Sequence, residues 1–130
     1  MNLNILDVKI TFFEYPYPIK TTVNFEGIRM PSLQILAAMK AFALGRRSKW
    51  KDYVDLFFLL RDYVKLEDIF SEAKTIYGQE FSEKQFCAQL AYHKDIDYTE
   101  DMEYMPGYFV EGQKIKDFLI EQALTICALI

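Results

Sequence analysis

The first thirty residues follow a two-residue hydrophobic period, which is typical of β-strands. Between residues 6 and 14, apolar side chains alternate with polar ones, at Val8, Ile10 and Phe12. We expect a half-buried strand there, followed after two prolines by a shorter strand–turn–strand around Gly27. Two or three strands are too few for a sheet of their own, so this segment is predicted to form the edge of a larger sheet.

From Ser32 onward the hydrophobic pattern becomes helical. Helices are predicted over residues 33–44, 48–63, 66–77, 82–92 and 113–129. Gly45 is expected to end the first helix, while Ser32, Ser48 and Ser82 are expected to cap the first, second and fourth. Residues 94–107 are rich in Asp and Glu and contain a Pro-Gly pair, which predicts a loop.

No linker or internal repeat divides the chain, so residues 1–130 are predicted to form one domain of the α+β class. Its β-hairpin segment is residues 1–31. The helical region, residues 32–130, is expected to be a bundle of four to five helices. A chain with 52% hydrophobic residues can bury a core of this kind.

The composition indicates where the protein is located and which kinds of ligand it is not expected to bind. No run of about 18 apolar residues is present and no basic leader precedes an apolar stretch, so we expect a cytoplasmic protein with no membrane partner. A net charge of -4 argues against general attraction to nucleic acid. One histidine and two cysteines, Cys87 and Cys127, have no metal-ligand spacing, so no metal site is expected. We expect both cysteines to be reduced and packed as small hydrophobes.

Lys40 is the most informative single residue, because it lies in the middle of an otherwise apolar predicted helix. A buried ammonium needs an anionic partner. Asp52 and Asp55 share one face of the next helix and are the obvious candidates. Two interpretations remain open. The pair is a structural ion pair, or Lys40, Arg47 and Lys51 form a phosphate-binding cradle that an aspartate orients.

Charge patterning leaves both interpretations open. Residues 40–51 contain five basic side chains and no acid, which suits phosphate but also a solvated helix–helix turn. Trp50 could stack on a base, although we expect it in the core. His93 is expected to be exposed at a helix end, so Ser/His/Asp and Cys/His catalysis are not predicted.

The segment from Ser32 to Leu60 resembles the C-terminal motifs of the AbiEii/AbiGii nucleotidyltransferase toxins of type IV toxin–antitoxin and abortive infection systems. The resemblance rests on Met39-Lys40 in a helix of small residues, on Arg47, and on the run Lys51-Asp52-Tyr-Val-Asp55-Leu. It implies Lys40, Asp52 and Asp55 as catalytic residues and Lys40, Arg47 and Lys51 as phosphate-binding residues. It also implies that the hairpin segment borders a nucleotidyltransferase-like sheet.

The family's metal motif, a Gly-Gly or Gly-Ser turn followed by Asp-x-Asp, is missing. None of the five glycines precedes Gly or Ser, and Asp95-Ile-Asp97 follows no glycine turn, so a solvated loop is expected there. Glu14 could lie near a third carboxylate of the family's palm domain, but we do not assign it that role.

Because the motif is missing, we expect that this chain corresponds to the C-terminal half of such an enzyme and is inactive alone. The resemblance implies Mg²⁺ and an NTP as cofactor and substrate of a complete member, with an RNA or protein acceptor. It also implies a cognate antitoxin or a missing N-terminal nucleotidyltransferase domain as partner. The alternative is a non-enzymatic helical module that binds a partner.

Overall fold

The computed structural model describes residues 1–129 and has the predicted α+β architecture. Two antiparallel hairpins come first, formed by β1 (Asn2–Ile5) with β2 (Val8–Thr11) and by β3 (Val23–Phe25) with β4 (Ile28–Met30). The helices are α1 (Leu33–Arg46), α2 (Trp50–Asp62), α3 (Leu66–Tyr77), α4 (Glu83–Ala91) and α5 (Gly112–Ile126). Short 3₁₀ turns follow α3 and α5. None of the described helices is long and apolar enough to cross a membrane.

The first hairpin differs from its prediction in two respects. The strand expected over residues 6–14 is confined to β2, because Leu6 and Asp7 adopt the positive φ angles of 52° and 65° that a tight turn requires. The chain before this turn forms β1, which the sequence pattern did not predict. The hairpin is also exposed rather than half-buried, and Val8 keeps 59% of its surface in solvent.

The helix boundaries follow local capping with two exceptions. The hydroxyls of Ser32 and Ser82 accept hydrogen bonds from the backbone three residues later, as predicted. Gly45, expected to end α1, lies inside it, and the helix ends when Arg47 becomes extended. Ser48 does not cap α2, because the chain stays extended through Lys49.

The core lies between the helices. α1 packs against α2, α3 and α4, while α5 packs against α4 and α2. Small side chains on α1, such as Ala37 and Ala41, are fully buried and let the neighbouring helices approach closely. The hairpins contribute no residue to this core. The helical region therefore carries the stability of the described chain.

The two cysteines are not reduced, contrary to expectation. Cys87 in α4 and Cys127 after α5 form a disulfide, with their Cα atoms 5.9 Å apart. The two residues are 40 positions apart in sequence, so only the packing of α4 beside α5 brings them within bonding distance.

Candidate functional site

The candidate site lies where α1 ends and α2 begins. The extended connection between them is held by the acidic loop, because the Trp50 N–H donates to the Asp97 carbonyl at 3.0 Å and the Asp97 N–H donates to the Ser48 carbonyl at 2.6 Å. These two bonds form a short parallel bridge between Lys49 and Asp97. The loop that carries several acidic residues is thereby fixed beside the basic α1–α2 turn.

Four side chains at this turn form one ion-pair network, here called the Lys40 cluster: Lys40, Arg47, Asp52 and Asp55. The Lys40 Nζ lies 3.3 Å from an Asp52 oxygen and 2.8 Å from an Asp55 oxygen. The Arg47 Nε donates to the other Asp52 oxygen at 3.0 Å. The prediction that Lys40 meets an anion is confirmed, and both candidate aspartates contact it.

The cluster has a buried end and an exposed end. The Asp52 side chain is only 1% exposed, whereas Lys40 and Asp55 are 27% and 41% exposed. Burial disfavours the charged form of Lys40, but hydrogen bonds and charges from Asp55 and Asp52 outweigh it and raise the pKa of the ammonium. Lys40 therefore remains a cation at neutral pH, with one partner that is fixed and one that borders solvent.

Lys51 belongs to a different network, here called the Glu100 cluster: Lys49, Lys51 and Glu100. Glu100 accepts from Lys49 at 2.5 Å and from Lys51 at 2.7 Å. These hydrogen bonds lower the pKa of Glu100 to about 2. The structure thus does not join Lys51 to Lys40. Lys51 and Asp55 do line one open cleft of about 460 Å³ together with Asp101 and Glu103.

The remaining candidates lie outside both clusters. His93 is half-buried rather than exposed, its ring bonds to the Leu90 carbonyl, and burial lowers its pKa. Trp50 packs against the core, as predicted. The exposed Asp97 carboxylate accepts two hydrogen bonds from Thr99, which lower its pKa. Glu14 lies in the exposed segment after β2.

Sequence reasoning missed two features. Glu100 was not recognised as the partner of the basic turn, because 49 and 51 residues separate it from Lys51 and Lys49. A groove between Tyr15, Tyr17 and the end of α1 was also missed. The Tyr-Pro-Tyr-Pro run over residues 15–18 was a signal for it, but the sequence could not place that run beside Arg46.

Comparison with known proteins gives two matches. The family model described as "Nucleotidyl transferase AbiEii toxin, Type IV TA system" matches residues 8–118. The uncharacterized protein aq_aa25 of Aquifex aeolicus (strain VF5) is 39% identical over 59 residues, which cover 43% of this chain and 29% of the relative. The chain therefore spans less than a third of the curated relative it matches. No solved structure matches.

Proposed function

Because the chain belongs to the family of AbiEii nucleotidyl transferase toxins of type IV toxin–antitoxin systems, we propose that its Lys40 cluster forms part of a nucleotidyl-transfer site. In this proposal Lys40 contacts the phosphates of an NTP. The observation that carries it is the uneven exposure of the two carboxylates on Lys40. Asp52 is enclosed by protein, while Asp55 borders solvent and can be replaced by another anion.

Each member of the cluster has a distinct role in this proposal. Asp52, held by Arg47 on one side, fixes the Lys40 ammonium in position. Asp55 occupies the place that a phosphate oxygen takes when a nucleotide arrives. A lysine contacts phosphate as a compact charge and needs no fixed planar geometry, which suits such an exchange. Arg47 and Lys51 supply further positive charge. Lys51 does so from the adjoining cleft, once it has been released from Glu100.

Mg²⁺ is not assigned to this chain. Within residues 1–129 no group of three or more His, Cys, Asp or Glu side chains is placed to hold a metal ion. In the Asp95-Ile-Asp97 run, one carboxylate oxygen of Asp97 already accepts two hydrogen bonds from Thr99. The residues present therefore do not fit the metal pair that organises a triphosphate. We propose that catalysis requires a nucleotidyltransferase domain that supplies it, and that the described chain alone is inactive.

The test is calorimetric titration of each NTP, with and without Mg²⁺, into the parent chain and two variants. Lys40→Met should weaken binding by about tenfold, the value of one charge-assisted contact. Asp55→Asn should strengthen binding several-fold, because it removes the anion that competes with phosphate for Lys40.

Lys74→Met is the matched control, since it removes an exposed lysine of α3 that belongs to neither cluster, and it should leave the affinity unchanged. Circular dichroism must show that each variant folds. Unchanged affinity in both Lys40→Met and Asp55→Asn would assign the cluster a structural role only.

A second candidate function is favoured by the exposed hairpins. Leu6 and Ile28 in the hairpins keep 93% and 64% of their surfaces in solvent, and Phe13, just after β2, keeps 74%. Two-stranded hairpins are marginal alone, and exposed apolar surface on them favours a role in binding a partner. The candidate partner is a cognate antitoxin or a nucleotidyltransferase domain.

Light scattering of the chain with each purified candidate partner would detect such a complex. Phe13→Asp should abolish the complex and Lys40→Met should not, which separates this function from nucleotide binding. A complex that survives Phe13→Asp would rule out the hairpin surface.

A further inference from the structure

We propose that the groove beside the end of α1 binds a nucleotide unit, with the base against its tyrosines and the phosphate on its arginines. The unit comes either from a free nucleotide or from the end of a single-stranded RNA. The groove, here called the aromatic groove, has a volume of about 350 Å³ and is lined mainly by Tyr15, Tyr17, Phe42, Arg46 and Arg47. The inference deepens the proposed function and rests on it for the role of the bound nucleotide.

The aromatic wall of the groove is fixed before any ligand binds. The hydroxyl groups of Tyr15 and Tyr77 are 2.6 Å apart and hydrogen-bonded, and the Tyr17 hydroxyl donates to Glu80. The Tyr17 ring packs edge-on against Phe42, which in turn stacks on Tyr77 with ring centroids 3.8 Å apart. Phe42 is already stacked on Tyr77, so the surface offered to a base is that of Tyr15 and Tyr17, whose fixed positions keep the entropic cost of stacking low.

Two guanidinium groups supply the positive charge of the groove. Arg46 lies over the Phe42 ring at 4.6 Å and pairs with no carboxylate among residues 1–129. Arg47 donates to Asp52 through Nε and Nη2, so its Nη1 makes no side-chain hydrogen bond in the described chain. Arg46 also donates to the Tyr17 hydroxyl at 3.5 Å, so its nearest hydrogen-bond partner is neutral. Two arginines that line one groove favour an anion such as phosphate.

A neighbouring hollow adds an unpaired acceptor. It has a volume of about 210 Å³ and shares Phe42 and Arg46 with the aromatic groove. The Gln89 side-chain nitrogen donates to the Leu44 carbonyl at 3.1 Å, which sets the orientation of the amide. Its oxygen is buried and has no partner in the described chain. Such an acceptor needs an N–H or O–H donor, which a base amino group or a ribose hydroxyl supplies and a bare phosphate does not.

The aromatic groove adjoins the Lys40 cluster through one residue. Arg47 lines the groove and also holds Asp52, the buried carboxylate of that cluster. A phosphate on Arg47 is therefore placed beside the residues proposed to contact the NTP. Together, the stacking wall, the two arginines and the buried acceptor fit a nucleotide better than a simple anion.

The test compares the affinity of the full chain for three probes. Binding of a fluorescein-labelled single-stranded pentaribonucleotide is measured by fluorescence anisotropy, and binding of the nucleoside 5′-monophosphates and of inorganic phosphate is measured by calorimetry. Tyr15→Leu should weaken nucleotide or RNA binding by about tenfold, the lower end of the range for one base-stacking contact. Arg46→Gln should weaken it by about tenfold as well, the value of one charge-assisted contact with a phosphate. Arg61→Gln, which removes one arginine at the opposite end of α2, is the matched control and should not change it.

Tighter binding of RNA than of monophosphates identifies an RNA end as the ligand, and equal binding identifies a free nucleotide. Either result supports the site. Binding of phosphate as tight as that of nucleotides, absence of binding by the parent chain, or parental affinity in both folded variants overturns it. Loss of NTP binding in Lys40→Met together with no effect of Arg46→Gln and Tyr15→Leu would reject the groove and leave the proposed function standing.

Discussion

The Lys40 cluster and the Glu100 cluster are built from the same types of side chain a few residues apart, and they differ in exposure. In the first, the central carboxylate of Asp52 is 1% exposed and is held by Lys40 and Arg47. In the second, Glu100 is 42% exposed and is held by Lys49 and Lys51. The number of cations on the central carboxylate is the same, so burial is the main difference.

Burial changes what each ion pair can do. A carboxylate removed from water needs every partner, because its desolvation is otherwise uncompensated. An exposed carboxylate recovers water when a partner leaves, and salt screens its interactions. The buried cluster can therefore hold the Lys40 ammonium in a fixed position, whereas the exposed cluster can release its lysines at small cost.

The largest expected effect is that of Asp52→Asn on stability. Lys40 and Arg47 would each lose a charge-assisted hydrogen bond to the enclosed carboxylate, and the free energy of unfolding should fall by about 3 kcal/mol. Urea denaturation measures this. Asp95→Asn, in an exposed position of the acidic loop, is the control and should change stability by less than about 0.5 kcal/mol. Equal effects of the two variants would contradict the contrast between the clusters.

A smaller effect is expected in double-mutant cycles. Lys40→Met combined with Asp52→Asn should give a coupling free energy of about 2 kcal/mol, because the two groups interact in a partly water-excluded site. The corresponding cycle of Lys51→Met with Glu100→Gln should give a coupling too small to resolve. A larger coupling in the exposed pair would show that burial is not the deciding factor.

The smallest expected effect is the pH and salt dependence of the Glu100 cluster. The pKa of Glu100 is lowered to about 2 from an ordinary value of 4.5. Its contribution to the free energy of unfolding is therefore present above about pH 4.5 and is lost as the pH falls toward 2. Glu100→Gln should lower the melting temperature slightly at neutral pH and low salt.

This difference between Glu100→Gln and the parent chain should disappear in 0.5 M NaCl and near pH 2, where the parent carboxyl is also losing its charge. Differential scanning calorimetry across this range measures it. A difference that persists at high salt would indicate a role of Glu100 other than its charge.

Elements governed by neighbouring residues could be predicted well. The bounds of α3 matched the hydrophobic period and the glycine that follows it, and the Ser32 and Ser82 caps formed because a hydroxyl reaches the backbone three residues later. The pairing of Lys40 with Asp52 and Asp55 followed from the cost of a buried charge and from the three-residue spacing of the acids. The prediction of a strand at Leu6 and Asp7 was wrong, because the alternation of apolar and polar residues does not reveal a left-handed backbone conformation.

The sequence by itself determined the helical segments, the family motif around Lys40 and the need of that lysine for an anion, since these depend on residues close together in the chain. Only the tertiary structure decided that Lys51 turns to Glu100, that Cys87 meets Cys127, and that Tyr15 and Tyr17 lie beside Arg46. Each of these contacts joins residues at least 29 positions apart. Their distances are set by how the helices and loops pack, and no local pattern carries that information.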